Sequence, residues 1–195
     1  MTGLAQTAMG DVPEWVVAEM PPGYQNRLLE IERLSADLRA MDRIGSVLWA
    51  TGDPLQEAVS AVFGALKCEP AAAGGAMAVT IGEGRRLLVL VSAAISPIQK
   101  TNEELAQVFQ TVQFAGANDR VVLVVNNDPA MPPASRPDGV LSDALVILKR
   151  MGVNVVTTAM LFGLWRLSFE DAPKARKVLE RLHAQDGGTF VMPPR

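Results

Sequence analysis

From Tyr24 to Ala50 apolar residues recur at alternating spacings of three and four: Ile31, Leu34, Leu38, Met41, Gly45 and Leu48, with Arg27, Glu30, Glu32, Arg33, Asp37, Arg39 and Arg43 between them. This pattern predicts a helix carrying a heptad stripe about three repeats long. Gly52-Asp53-Pro54 ends it and starts a second helix, with Asp53 as N-cap and Pro54 at the first helical position. That helix, Pro54 to Leu66, turns Leu55, Val59, Val62, Phe63 and Leu66 inward. Ala71–Gly75 reads as a small-residue loop. Met77–Ile81 and Arg86–Ser92, around Gly82-Glu83-Gly84, predict a β-hairpin that, centred on Glu83, pairs Met77 with about Val89 and sets Leu90 beside Ala76. Asn102–Phe114 repeats the helical period, with Leu105, Val108, Phe109 and Val112 on one face. The run Val121–Val125 is a strand, followed by a proline-rich loop to Pro137. A helix from Ser142, its N-cap, to Met151 leads to a strand Val153–Thr157 and a short helix Met160–Leu167. Pro173–Ala184 is an amphipathic helix, and Thr189–Pro194 reads as a loosely attached end. Uninterrupted apolar strands between helices imply parallel pairing with both faces buried.

The first 23 residues differ: they are rich in glycine, proline and small side chains, with one apolar knot at Trp15-Val16-Val17, and read as a mobile arm. The remainder divides into the heptad helix (24–50), an α/β domain (51–168) and a C-terminal helix with its tail (169–195). A chain of 195 residues that is 49% hydrophobic and 20% charged can bury one ordinary core. Its 18 basic and 21 acidic residues leave a net charge of -3, so no global positive field draws nucleic acid or anionic lipid. One cysteine, Cys68, and one histidine, His183, cannot assemble a four-ligand zinc site or an internal disulfide. A reducing, cytoplasmic location is expected, because no apolar run exceeds strand length and the first ten residues lack the pattern of a secretion signal.

Three segments carry a likeness. Leu48–Val59 (LWATGDPLQEAV), Leu123–Asn126 followed by Met131–Pro137, and Val153–Phe162 look like the opening helix and closing half of a nuclease domain. Together with the order helix, strand, hairpin, helix, strand, helix, strand, the region Ile44–Leu167 resembles the restriction-endonuclease-like fold of the PD-(D/E)XK nuclease superfamily. The resemblance implies a mixed sheet flanked by helices. In active members an Asp at the start of the second strand, and a Glu and Lys two residues apart on the third, bind a divalent metal and activate water. A hard cation needs such oxygen ligands, and the two-residue spacing puts both side chains on one face of a strand. Laid onto this chain, Ala76-Met77 falls where Pro-Asp belongs and Leu90-Val91-Ser92 where Glu-x-Lys belongs. Met77, Leu90 and Ser92 supply no carboxylate and no ammonium, so the expected catalytic set, metal and cofactor are none.

Nearby acids replace them poorly. Glu83 is six residues from Met77, about 20 Å along a strand. Gln56 takes the place of a helix acid, with Glu57 turned about 100° away, and Glu69 stands beside apolar neighbours. Gln107 matches a glutamine of active relatives but has no catalytic meaning alone. His183 reads as an exposed helix-end residue, Cys68 as a small buried hydrophobe, and Gly82-x-Gly84 as a turn without the lysine of a phosphate loop. Arg85-Arg86 and Lys149-Arg150 are solvated pairs. Lys174, Arg176, Lys177 and Arg181 are diluted by Glu170, Asp171 and Glu180, without aromatics for base stacking. The expectation is therefore a silent nuclease-like domain whose old site is filled and closed. It acts as an interaction or assembly module, with a migrated-site nuclease and a non-catalytic nucleic-acid binder as the alternatives. Ile31, Leu34, Leu38, Met41 and Leu48 are its expected interface. They pack either on their own domain or, with Gly45 allowing close approach, on a second chain or a partner helix.

Overall fold

The structure is a computed structural model that describes residues 14–82 and 84–193. Two compact units divide the chain, one ending at Asp42 and one of residues 43–195. The apolar knot at Trp15 forms a short helix, α1 (Glu14–Glu19), and the heptad pattern forms α2 (Tyr24–Gly45), which passes into a tight turn of 3-10 helix at Ser46–Leu48. The larger unit continues with α3 (Gly52–Ala65), β1 (Glu69–Ala73), β2 (Ala76–Gly82), β3 (Arg85–Val91), α4 (Glu103–Phe114) and β4 (Asp119–Val125). It ends with α5 (Ser142–Arg150), β5 (Asn154–Thr157), α6 (Thr158–Glu170), α7 (Ala172–Ala184) and β6 (Gly188–Thr189).

The strands form one mixed sheet whose order follows the chain, β1 to β6. β1, β2 and β3 are antiparallel and β3, β4, β5 and β6 parallel. The expected pairing of Met77 with Val89 is the observed one. Alternate residues of the central strands serve two cores. Val79, Val89, Val122, Val124 and Val156 pack under α3, α6 and α7 against Val59, Phe63, Leu164 and Leu179. Leu88, Leu90, Leu123, Val125 and Val155 pack under α4 and α5 against Val108, Ala144 and Leu148. Two covered faces explain the continuous apolar runs within β3 and β4, since Leu87–Leu90 and Val121–Val125 are all buried. Each fully buried Val or Leu contributes roughly 1.5–3 kcal/mol.

Several boundaries are corrected. The expected loop at Ala71–Gly75 is the edge strand β1 with a Gly74-Gly75 turn; alanines give little strand signal by themselves, and pairing with β2 supplies the hydrogen bonds. The expected loose end, Thr189–Pro194, is tied down at its start, Thr189 lying in β6 and Phe190 being buried, while Val191 is exposed and Pro194 lies outside the described residues. α3 starts at Gly52, so Asp53 lies inside its first turn, and Ser142 opens α5 itself, Leu141 being the N-cap. α6 is 13 residues long because its inward face, Leu161, Leu164, Trp165 and Leu167, continues the core. On α4 only Val108 is buried, and Phe109, one residue and about 100° further round, is exposed. Residues 1–13 of the arm and Glu83 of the hairpin turn lie outside the described residues.

Candidate functional site

The β1–β2 hairpin ends in Ala71-Ala72-Ala73-Gly74-Gly75-Ala76, and such small side chains leave space beside them. A groove of about 1370 Å³ opens around it. Gln56, Glu57, Ser60 and Ala61 of α3 line it, as do Gln107, Gln110, Thr111 and Phe114 of α4, with Met77 and Leu88–Val91 beneath. The expectation of a filled, closed site is thus corrected. The groove is nevertheless not acidic, because Glu57 and Asp119 are matched by Arg43 and Arg86 among its lining residues.

The three positions marked by the nuclease resemblance do not converge. Met77 packs with the α3 core, on the face of Val79 and Val89. Leu90 belongs to the α4 core on the opposite face, beside Ala76 of that core rather than Met77. Ser92 is buried. Its hydroxyl donates to Glu104 Oε1 at 3.2 Å and accepts from the Ala94 amide at 3.0 Å, closing the turn after β3 against α4. Period-two geometry explains the split, since residues 76 and 77 of one strand must face opposite ways.

Nearby acids are equally dispersed. Glu57 is exposed in the groove. Glu69 pairs with Thr80 while Met77 pairs with Ala72, which separates them by three strand positions, about 10 Å. Asp119 is held in a two-pronged ion pair: Arg86 Nε donates to Oδ1 and Nη2 to Oδ2, both at 2.8 Å. The hydrogen bond from Arg86 holds the Asp119 carboxyl below the usual carboxylate range, and the Gly116 amide adds to this. Among the described residues no group of three or more His, Cys, Asp or Glu side chains is placed to hold a metal ion.

The best-connected polar cluster lies instead at the far end of β4 and β5. Asn126, buried as the strand ends, donates from Nδ2 to the Ala50 carbonyl at 2.8 Å. Its Oδ1 accepts from Arg136 Nη1 at 2.7 Å and from the Thr158 hydroxyl at 2.8 Å. Arg136 also donates to the carbonyls of Met131, at 2.9 Å, and Leu48, at 2.5 Å. Burial pushes its pKa down, an effect Asp128 partly offsets. With its donors turned onto neutral protein acceptors, Arg136 clamps the proline-rich loop to the α2–α3 junction and offers little to an outside anion. Sequence reasoning gave these residues no role, though an Asn that closes a wholly apolar strand was a legible sign of a buried polar anchor.

The remaining singled-out residues are structural. His183 is half-buried rather than exposed, and its Nε2 bonds the Asn118 carbonyl at 3.0 Å. Cys68 is buried, and burial pushes its thiol pKa up. Arg176, within the tail's basic cluster, bonds the Ile81 carbonyl under the hairpin turn. No helix among the described residues is long and apolar enough to cross a membrane.

The expected interface divides. Ile31, Leu34, Leu38 and Met41 keep 52, 48, 62 and 44% of their surface. Leu48 does not belong with them, because the 3-10 turn carries it against the α3 core, and Gly45 faces the Trp49 ring, 3.7 Å from where a Cβ would stand. No family model matches this chain, and no curated protein or solved structure matches it.

Proposed function

We propose that this protein is a catalytically silent, restriction-endonuclease-like domain that works as an interaction or assembly module, with α2 as its contact element. The observation behind it is the arrangement of Met77, Leu90 and Ser92: none supplies a metal-binding oxygen anion, and Met77 faces away from the other two. Activation of water on a phosphodiester needs at least two convergent carboxylate or carbonyl oxygens on a hard cation, and Glu57 and Glu69 stand on separate elements without such partners. The assembly half of the reading is supported by Ile31, Leu34, Leu38 and Met41, exposed in one row along α2, since an apolar row of this kind is ordinarily covered by a partner.

The test is incubation of the purified full chain with duplex and single-stranded DNA and RNA in magnesium or manganese. The expected result is no cleavage above that of a preparation from cells lacking the protein. Metal-dependent cleavage that disappears in Glu57→Gln or Glu69→Gln would overturn the silent reading in favour of a migrated site.

A further inference from the structure

The face of α2 carries a second pattern beside its apolar stripe, and it bears on what covers that stripe. With Ile31 and Leu38 at one core position of the heptad and Leu34 and Met41 at the other, the flanking positions on one side are Glu30 and Asp37, and on the other Leu28, Ser35 and Asp42. Every charge at these flanking positions is therefore negative. Of the arginines of the same helix, Arg33, Arg39 and Arg43 fall on the outer positions, away from any partner seated on the stripe, and Arg27 stands at the core position one heptad before Leu34, where the apolar stripe has not yet begun. Glu30, Asp37 and Asp42 are exposed, and among the described residues no ion pair involves them.

This arrangement disfavours a second copy of the chain. In a parallel pair the flank of one heptad meets the opposite flank of the next, which sets Asp37 against Asp42 of the second copy. In an antiparallel pair like flanks meet, which sets Glu30 against Asp37. Both registers bring carboxylates together with no cation at a flanking position to meet them, and the parallel one also sets Arg27 against the Arg27 of the second copy. Like charges at these positions act against association and opposite charges select the partner.

We infer that the α2 stripe docks a helix of a different protein, one with apolar residues at heptad spacing and Lys or Arg at the positions beside them. The inference rests on the reading of α2 as an assembly helix and specifies its partner. Glu30, Asp37 and Asp42 set the charge preference, while Ile31, Leu34, Leu38 and Met41 anchor the contact.

Two synthetic helical peptides provide the test. They share leucine and isoleucine at the core positions of three heptads and carry either Lys or Glu at every flanking position, so that each repels itself and stays monomeric. Binding to the full-length chain is followed by fluorescence anisotropy at low and at physiological salt, and the chain alone is followed by light scattering at micromolar concentration. The expected result is a monomeric chain that binds the Lys peptide at least about tenfold more tightly than the Glu peptide. That preference should shrink as salt rises and reverse in the triple variant Glu30→Lys, Asp37→Lys, Asp42→Lys. Binding to both peptides should vanish in Leu34→Glu/Leu38→Glu. Equal binding of both peptides, or a stable dimer of the chain alone, overturns the charge-selective partner while leaving α2 an assembly helix. A monomeric chain that binds neither peptide overturns both.

Discussion

Asn154 shows how one buried polar side chain decides where the chain ends up. It is fully buried on β5, donates from Nδ2 to the Leu182 carbonyl at 2.7 Å and the Gln185 carbonyl at 3.2 Å, and accepts from the Gly187 amide at 3.0 Å. These bonds seat the end of α7 and the start of β6 beside the parallel sheet. Replacing Asn154 with Leu leaves the three backbone groups unpaired, and the expected loss is about 2–4 kcal/mol in urea unfolding; a loss below about 0.5 kcal/mol would show that water takes over the role. The ion pair at Asp119 predicts a pH effect of definite sign. Because Arg86 holds the Asp119 carboxyl below its ordinary value, the folded state binds this proton less readily than the unfolded chain. Its stabilisation is therefore present above the ordinary Asp range, near pH 4, and is lost as pH falls through the lower folded value. Arg86→Ala should move the Asp119 titration, followed by NMR, up toward the ordinary range. It should also narrow the difference in stability between neutral and acid pH; an unmoved titration would count against the pair.

At the level of elements, legibility followed burial. The hairpin register around Val89 and the inward face of α3 were readable, because a core position on a strand or helix repeats with its period and little else competes. β1 and β6 were not. β1 has the composition Glu-Pro-Ala-Ala-Ala, which carries no alternation, and it exists because β2 offers it an edge. β6 is two residues long, too short for any period, and it is positioned by Asn154 and by Phe190, whose amide donates to the Val155 carbonyl at 2.8 Å. The turn before it is the tightest point in this part of the fold. Gly187 has φ of 78°, and a Cβ there would stand 2.7 Å from the Lys149 carbonyl oxygen. Gly74, in the β1–β2 turn, has φ of 54° with nothing within 4 Å. Gly187→Ala should then cost roughly 2–4 kcal/mol by thermal or chemical unfolding, through both backbone strain and the clash, and Gly74→Ala only about 1 kcal/mol. Equal effects at the two sites would mean that the Lys149 contact relaxes freely.

On the scale of the whole molecule, the residue types of the candidate site were legible and its shape was not. The residue types at 77, 90 and 92 are plain in the sequence. The opposite facing of Met77 and Leu90, and the open groove left by an Ala/Gly hairpin, depend on register and on what the neighbouring helices leave uncovered. The helix bearing Ile31, Leu34, Leu38 and Met41 was readable, but its end before Leu48, which lies in the 3-10 turn, was not. The division of the chain at residue 42 makes the proposed role of that stripe testable. Ile44, the one residue of α2 that is buried, belongs to the larger unit, as does Val59 of α3, which is fully buried. A chain beginning at Arg43, and the full chain with Leu34→Glu/Leu38→Glu, should each unfold within about 4 °C of the unaltered protein, the shift that ~1 kcal/mol produces in a domain of this size. Val59→Glu places a charge in the α3 core, and should abolish cooperative unfolding in differential scanning calorimetry. If instead the shortened chain or the double variant melted more than about 10 °C lower, the stripe would be part of the folding core, and α2 would have no free face to offer a partner.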